Sequence, residues 1–331
     1  MKKIFKKIIF GILIVLLIFV AYFSIGTPPR KEKIAWGVNF SQKHSQNLGL
    51  DWKENYLALL DDLNVKNLKV AVHWDLIEPE KNQYNFQDLD WQIEKAEDKG
   101  VKILLVIGMK TPRWPECHIP DWAKNLPKEE QQKEISEMIE KIVSKYKDQP
   151  SIWAWQIENE PFFPFGECPW VDKKFLKKEI ELVHSIDNQG RPVVISDSGE
   201  GSLWINAARF GNIVGTTMYK KVWFRQLGMY IHYPFSPAFY WRKAQLIKSI
   251  FKKDVICVEL QTEPWCPTLL YDCEIEEQRK TMDLEKFKYN IEFAEKTGLD
   301  RFYLWGSEWW YWLKTKQNNN EIWEEAKKLF I

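Results

Sequence analysis

The chain carries no block of like charge along its length, and 47 basic against 46 acidic residues leave a net charge of +1. A nucleic-acid binder needs a basic stripe, so no nucleic-acid partner is expected. Neither a G-x-G-x-x-G turn nor a P-loop occurs, which removes the phosphate-cradling signature of doubly wound nucleotide folds. No Cys-x-x-Cys pair is present, and His118, His184 and His232 are not spaced as ligands, so no metal and no cofactor is expected. Low-complexity tracts and short repeats are also missing. Cysteine is scarce: Cys257 lies within an apolar strand-like run and reads as a buried thiol. The other four lie in loop-like segments, and an oxidising compartment permits the pairs Cys117–Cys168 and Cys266–Cys273.

Tryptophan, by contrast, is abundant, with 18 in 331 residues. A large core alone would use many of them. Several nevertheless fall beside carboxylates near the ends of strand-like runs. Flat indole faces suit the C–H faces of pyranose rings, so carbohydrate is the first ligand class to test.

At the N-terminus, Lys2, Lys3, Lys6 and Lys7 (basic segment, residues 1–7) precede an apolar run over residues 8–25. Its length is near the lower limit for a bilayer-spanning helix, and no A-x-A cleavage site follows. The run reads as an uncleaved transmembrane signal anchor, with cleavage after Gly26 as the alternative. The lysines predict a cytoplasmic N-terminus and a single-pass membrane protein whose bulk is extracytoplasmic, although Arg30, Lys31 and Lys33 oppose that orientation. Residues 26–33 form a linker.

From residue 34 to 331 strand-like and helix-like segments alternate. Strands are expected at 34–41, 67–74, 102–108, 151–158, 192–197, 213–219, 254–260 and 301–305. Near-continuous apolar runs such as Val101–Val106 suit parallel strands buried on both faces. Amphipathic stretches at 89–96, 135–142, 175–183, 287–294 and 321–330 have helical spacing. Eight strands alternating with helices predict an α/β chain folded as a single (β/α)8 TIM barrel. The aromatic, proline-broken stretch 230–240 reads as a packed loop, with a lid or membrane-facing loop as the alternative.

Such a barrel carries its site on loops after the strands. The fourth strand ends in Gln156-Ile157-Glu158-Asn159-Glu160-Pro161, and the seventh in Val258-Glu259-Leu260-Gln261-Thr262-Glu263-Pro264-Trp265. Two carboxylates facing each other across a ring are what glycosidic-bond cleavage requires: one gives a proton to the leaving oxygen, the other attacks or stabilises the anomeric carbon.

Asn159-Glu160-Pro161, closing an apolar Trp-containing strand, resembles the fourth-strand signature of the clan A retaining glycoside hydrolases, among them the cellulase-like family 5 and β-galactosidase family 42. The second-strand stretch from Val70 to Glu80, followed by Tyr84-Asn85-Phe86 and Leu89-Asp90, resembles the same clan, as does Tyr303-Leu304-Trp305-Gly306-Ser307-Glu308-Trp309-Trp310 on the eighth strand. The resemblance covers the chain from about Ala35 to Trp312. It implies Glu160 as acid/base, Glu259 as nucleophile, Asn159 as partner of the sugar 2-hydroxyl, Tyr219 as a hydrogen-bond donor to the nucleophile and Trp305 as the floor under the reacting sugar. His73 and Trp74 would line the same pocket.

The chain departs from this pattern in lacking an arginine on the second strand, where the nearest basic residue is Lys69. Glu263 is an alternative nucleophile, while Glu158 reads as a structural or outer-pocket carboxylate. Trp114 is either a sugar platform or the packing of a proline-bounded loop, and Glu308 is expected to touch substrate. The expected function is a retaining glycosidase of O-glycosyl, β-linked carbohydrate. A non-catalytic carbohydrate-binding barrel and an envelope polysaccharide transglycosidase remain as alternatives.

Overall fold

The computed structural model describes residues 20–330 and, nearer the N-terminus, Phe5, Phe10, Gly11 and Ile14. Among the described residues ten strands occur in chain order: β1 (Ala35–Phe40), β2 (Asn67–Ala71), β3 (Lys102–Ile107), β4 (Ile152–Ile157), β5 (Val193–Asp197), β6 (Ile213–Met218), β7 (Lys221–Phe224), β8 (Met229–His232), β9 (Asp254–Gln261) and β10 (Arg301–Trp305). Eight of them close a parallel barrel in the ring order β1-β2-β3-β4-β5-β6-β9-β10. The remaining two, β7 and β8, form an antiparallel hairpin at the mouth, just after β6. The eight barrel strands match those expected from the sequence, helices Gln87–Asp98, Lys128–Tyr146, Lys173–Ile186 and Leu284–Glu295 cover the first four amphipathic stretches, and helix Glu321–Lys327 covers most of the fifth. Part of the stretch read as a loop over 230–240 differs. It contributes to β8 and to helix Pro237–Phe251, with Pro237 in the first helical turn, where its missing N–H costs nothing.

Strand alternation sorts side chains into two cores. Leu104, Ala154, Val194, Ile256, Val258 and Tyr303 meet inside the barrel. Their neighbours Ile103, Leu105, Trp155, Ile195, Cys257 and Leu304 face the helices. On β2 the same alternation turns Leu68 and Val70 outward and Lys69 inward.

β9 breaks its alternation once. Between Phe302 and Leu304 of β10 the single residue Tyr303 stands opposite two residues, Val258 and Glu259; against β6, Thr216 and Thr217 pair with Cys257 and Glu259. This bulge has a direct consequence. Strict alternation from Val258 (inward) would turn Glu259 out toward the helices. The extra residue turns it in instead, and Leu260 packs outside.

The second strand is shorter than expected, since a helical turn, Trp74–Ile77, begins three residues after Ala71. The expected basic segment 1–7 and anchor 8–25 fall largely outside the described residues. Among the described residues no helix is long and apolar enough to cross a membrane. Tyr22 and Phe23, at the start of the continuous described chain, pack on Arg242 and Phe239 of helix Pro237–Phe251. Both expected disulfides, Cys117–Cys168 and Cys266–Cys273, are formed, and Cys257 is a buried free thiol.

Candidate active site

Glu259 enters the barrel mouth from the bulge on β9 and is 3% exposed. One carboxylate oxygen accepts from Lys69 Nζ at 2.8 Å, the other from the Tyr219 hydroxyl at 2.9 Å. Lys69 is itself 1% exposed and supplies the positive charge that the clan's arginine would bring. Burial, and after it the charge of Glu259, pushes the Tyr219 hydroxyl far above its ordinary range, so it keeps the proton it donates.

Glu160 approaches from β4. The chain leaves that strand through two left-handed residues, Glu158 (φ 57°) and Glu160 (φ 42°). For non-glycine residues this costs roughly 1–2 kcal/mol each, a strain of the kind that clusters at functional sites. The backbone is held by neighbours: Glu160 N–H donates to Ser196 Oγ at 2.8 Å, and the Glu160 carbonyl accepts from Lys110 Nζ at 3.1 Å. Its carboxyl accepts from Thr217 Oγ1 at 3.1 Å. Burial raises the Glu160 carboxyl well above the usual carboxylate range, the negative charge of Glu259 adds to this, and Lys110 opposes it. One buried carboxyl is thus biased toward its acid form beside another that is held by a lysine and a tyrosine.

Asn159 lies alongside, its amide donating to Glu116 Oε2 at 3.1 Å and its oxygen accepting from Gln156 at 3.1 Å. Glu116 was not singled out from the sequence. It is buried, and burial lifts its carboxyl to about 7 despite the nearby Lys110. Glu158 has a different task. Its oxygens accept the backbone N–H groups of Met109 (2.8 Å) and Lys110 (2.6 Å), and its carboxyl bonds Glu179 in the outer layer. That is the structural role expected for it.

Trp305 stands at the end of β10 with Tyr219 and Trp265 nearby, and the Arg113 guanidinium lies 3.9 Å over its ring. Arg113 comes from the loop after β3 and is also paired with Glu263 and, at 2.9 Å, with Glu308. Burial alone would raise Glu263, yet Arg113 and His44 together draw it down to about 2. Glu263, the alternative nucleophile, is therefore tied into an ion cluster with Arg113 and His44.

Of the other expected substrate residues, His73 is buried between Ser41 Oγ (3.0 Å) and Thr111 Oγ1 (3.1 Å), and burial holds it neutral. Trp74 is corrected. It is fully buried in the outer layer, its indole N–H on Glu78 at 2.9 Å and its ring 5.7 Å from Trp122, because the helical turn after β2 rotates it off the mouth. Glu308 is also corrected: it is fully buried, with one oxygen on the Ser41 N–H (2.7 Å) and the other on Arg113, so it holds protein groups instead of a sugar. Trp114 is 40% exposed at the rim and packs edge-on against Phe165.

Sequence reasoning missed Arg113, Glu116, Thr217 and Ser196, although Arg113 and Glu116 flank the Trp114 segment and Thr217 lies two residues before Tyr219. For Lys69 a signal existed: a lysine between Leu68 and Val70 on a buried strand must point inward to a partner.

A family model described as β-galactosidase (Glyco_hydro_42) matches residues 46–178, a stretch that includes Asn159 and Glu160. β-Galactosidase Bga of Halorubrum lacusprofundi is 23% identical over 128 residues, covering 33% of this chain and 18% of that protein. Among solved structures, a GH5_18 protein from Bifidobacterium longum has a TM-score of 0.59 at 12% identity over 83% of this chain and 70% of that one. A glycosylated endo-β-1,4-xylanase of family GH10 from Gloeophyllum trabeum has a TM-score of 0.54 at 17% identity, covering 83% and 85%. At these identities the structural likeness is one of fold. Together the matches bear out the resemblance to the clan A (β/α)8 glycoside hydrolases.

Proposed function

We propose that the chain is a retaining glycosidase of β-linked O-glycosides, with Glu259 as nucleophile and Glu160 as acid/base. The observation that carries this reading is the unequal treatment of two neighbouring buried carboxyls: Lys69 and Tyr219 hold Glu259, while burial and the charge of Glu259 keep the proton on Glu160. A buried carboxyl that keeps its proton, next to a second one gripped by a lysine and a tyrosine, is suited to act as an acid beside its partner.

The chemistry follows from that asymmetry. Glu259 Oε attacks the anomeric carbon, the bond to the leaving oxygen breaks, and that oxygen takes the proton of Glu160. The resulting ester removes the Glu259 charge that had raised Glu160. Glu160, now a carboxylate, draws a proton from water, which attacks the same carbon and releases Glu259. Asn159, Tyr219, Trp305 and His73 line the place where the sugar lies. The second strand lacks an arginine, which keeps a binding-only barrel as an alternative, but Lys69 at 2.8 Å from Glu259 supports the catalytic reading. Transfer to a sugar acceptor instead of water would use the same groups, and product analysis against acceptor concentration separates the two.

Incubation with 2-deoxy-2-fluoro-β-glycosides bearing a good leaving group is expected to inactivate the protein and label the peptide that contains Glu259. A label on Glu263, or no inactivation by any sugar in the panel, overturns the assignment.

We also place the barrel outside the cytoplasm, held to the membrane by residues 8–25. The lysines before that run and the two disulfides support this. Retention in the membrane fraction at alkaline pH and protease sensitivity of the barrel on intact cells are expected. A barrel that is soluble and protected in intact cells contradicts the placement.

A further inference from the structure

The ion cluster around Arg113 lies at one end of the site, and the direction of the reaction says which end. The leaving group departs on the side of its proton donor, Glu160 at the end of β4. The rest of the reacting sugar therefore points the opposite way. In the ring order, the strand facing β4 across the barrel is β10, which carries Trp305. A second sugar attached to the non-reducing end would have to pass over Trp305 toward the rim formed by β10 and β1.

That rim is built shut. Arg113 reaches from the loop after β3 to lie 3.9 Å over the Trp305 ring, and it is held there by Glu263 from the loop after β9 and Glu308 from the turn after β10. Glu308 in turn accepts the Ser41 N–H at 2.7 Å, which ties in the end of β1. Four loops thus converge on one guanidinium that is only 7% exposed. Gly306 makes the approach of Glu263 possible: at φ +132° it has no side chain, and a Cβ there would meet Glu263 Cβ at 2.4 Å. The space beneath Arg113 is bounded by Asn39, Ser41, Lys69, Ala71 and Trp305.

Toward the loops after β3 and β4 the rim is aromatic. From Tyr219, Trp265 lies at 5.1 Å, Phe165 follows at 5.7 Å and Trp114 at 6.1 Å. Trp114 and Phe163 are exposed, and flat apolar rings of this kind suit the faces of saccharide rings.

Resting on the glycosidase reading, we infer that Arg113, held by Glu263 and Glu308, is a specificity-determining wall: the site admits one sugar on the glycone side and a longer saccharide on the leaving-group side. The substrate class is the non-reducing end of a β-linked oligo- or polysaccharide, shortened one sugar at a time. Removal of the buried guanidinium should open that end of the cleft.

The test uses the full chain with 4-methylumbelliferyl β-monoglycosides of galactose, glucose, mannose and xylose. For each sugar turned over, the matching 4-methylumbelliferyl β-disaccharide and reducing-end-labelled oligosaccharides follow. Wild type is expected to release only monosaccharide, with labelled products one unit shorter at each step and no free disaccharide. In Arg113→Ala, intact-disaccharide release relative to monosaccharide release should rise about tenfold or more, equivalent to about 1.4 kcal/mol. Glu308→Gln, which keeps the side-chain shape and weakens the hold on Arg113, should move in the same direction. Free disaccharide from the wild type overturns the wall while leaving the glycosidase reading intact. An unchanged product pattern in a folded Arg113→Ala also overturns it. No turnover of any probe overturns the glycosidase reading, and the wall with it.

Discussion

Replacing Glu160 by alanine tests the acid/base role most directly, because the structure predicts an effect on chemistry with little effect on folding. Alanine retains a Cβ, so the left-handed backbone at φ 42° costs the same before and after, and the bond from N–H 160 to Ser196 is untouched. A carboxyl is lost from a place where burial, and after it the charge of Glu259, already disfavours its ionised form, so the unfolding midpoint should hold or rise. The catalytic loss depends on the leaving group. An alkyl or sugar leaving group needs the proton, and a positioned general acid is worth about 10²–10⁴ in rate, or about 3–5 kcal/mol of barrier. A dinitrophenolate needs none. Its departure should be nearly unimpaired, and the glycosyl-enzyme should accumulate because water has lost its base. The assay is a leaving-group series read by stopped-flow, with a burst expected for dinitrophenyl glycosides only. Azide, small enough for the space vacated by the carboxyl, should raise turnover and give a β-glycosyl azide. Wild type should lose rate as rising pH deprotonates Glu160, and the variant should lack that limb. Equal losses across the leaving-group series, with no azide effect, would refute the reasoning.

Lys69→Met leaves Glu259 buried without its cation, at a cost of about 3–5 kcal/mol in stability by urea unfolding. Lys69→Arg should recover much of both stability and turnover, and an inactive but stable Lys69→Arg would mean that more than charge is required. Glu179 is raised well above the ordinary range by burial and then by the charge of Glu158, so it holds a proton in the folded state that the unfolded chain releases above about 4.5. Stability should therefore fall as pH rises from there through the folded value, and Glu179→Gln, which keeps a donor to Glu158, should flatten that decline; an unchanged slope would exclude the pair as its source. Loss of the Cys117–Cys168 link, which spans 51 residues and ties the loop carrying Arg113 to the one after β4, should cost up to about 4 kcal/mol on a chain-entropy basis. Calorimetry of the double serine variant checks this, and an unchanged midpoint would mean that the loops are held by packing alone.

The barrel was legible because its signals are local and repeated. Apolar runs of strand length alternate with helical stripes eight times, and each alternation is a separate piece of evidence. Glu160 was legible for a similar reason, in the compact Asn-Glu-Pro at the end of an apolar strand. Trp74 was misplaced because a strand and a short helical turn cannot be told apart over three residues, yet they send the side chain to different layers. Glu308 was misread because a carboxylate past a strand end looks the same in sequence whether it meets a sugar or an arginine from another loop.

What the amino-acid order determined alone was the alternation, the eight strands within a few residues and the two strand ends where carboxylates gather. Only the tertiary structure decided which of those groups meet. Glu259 turns inward because of one extra residue in β9, opposite a strand 44 positions later in the chain. Lys69 reaches it across 190 positions, and Arg113 reaches Glu308 across 195. Such contacts depend on closure of the ring, which brings strand ends together by geometry. No window of sequence short enough to carry a periodic signal contains both partners.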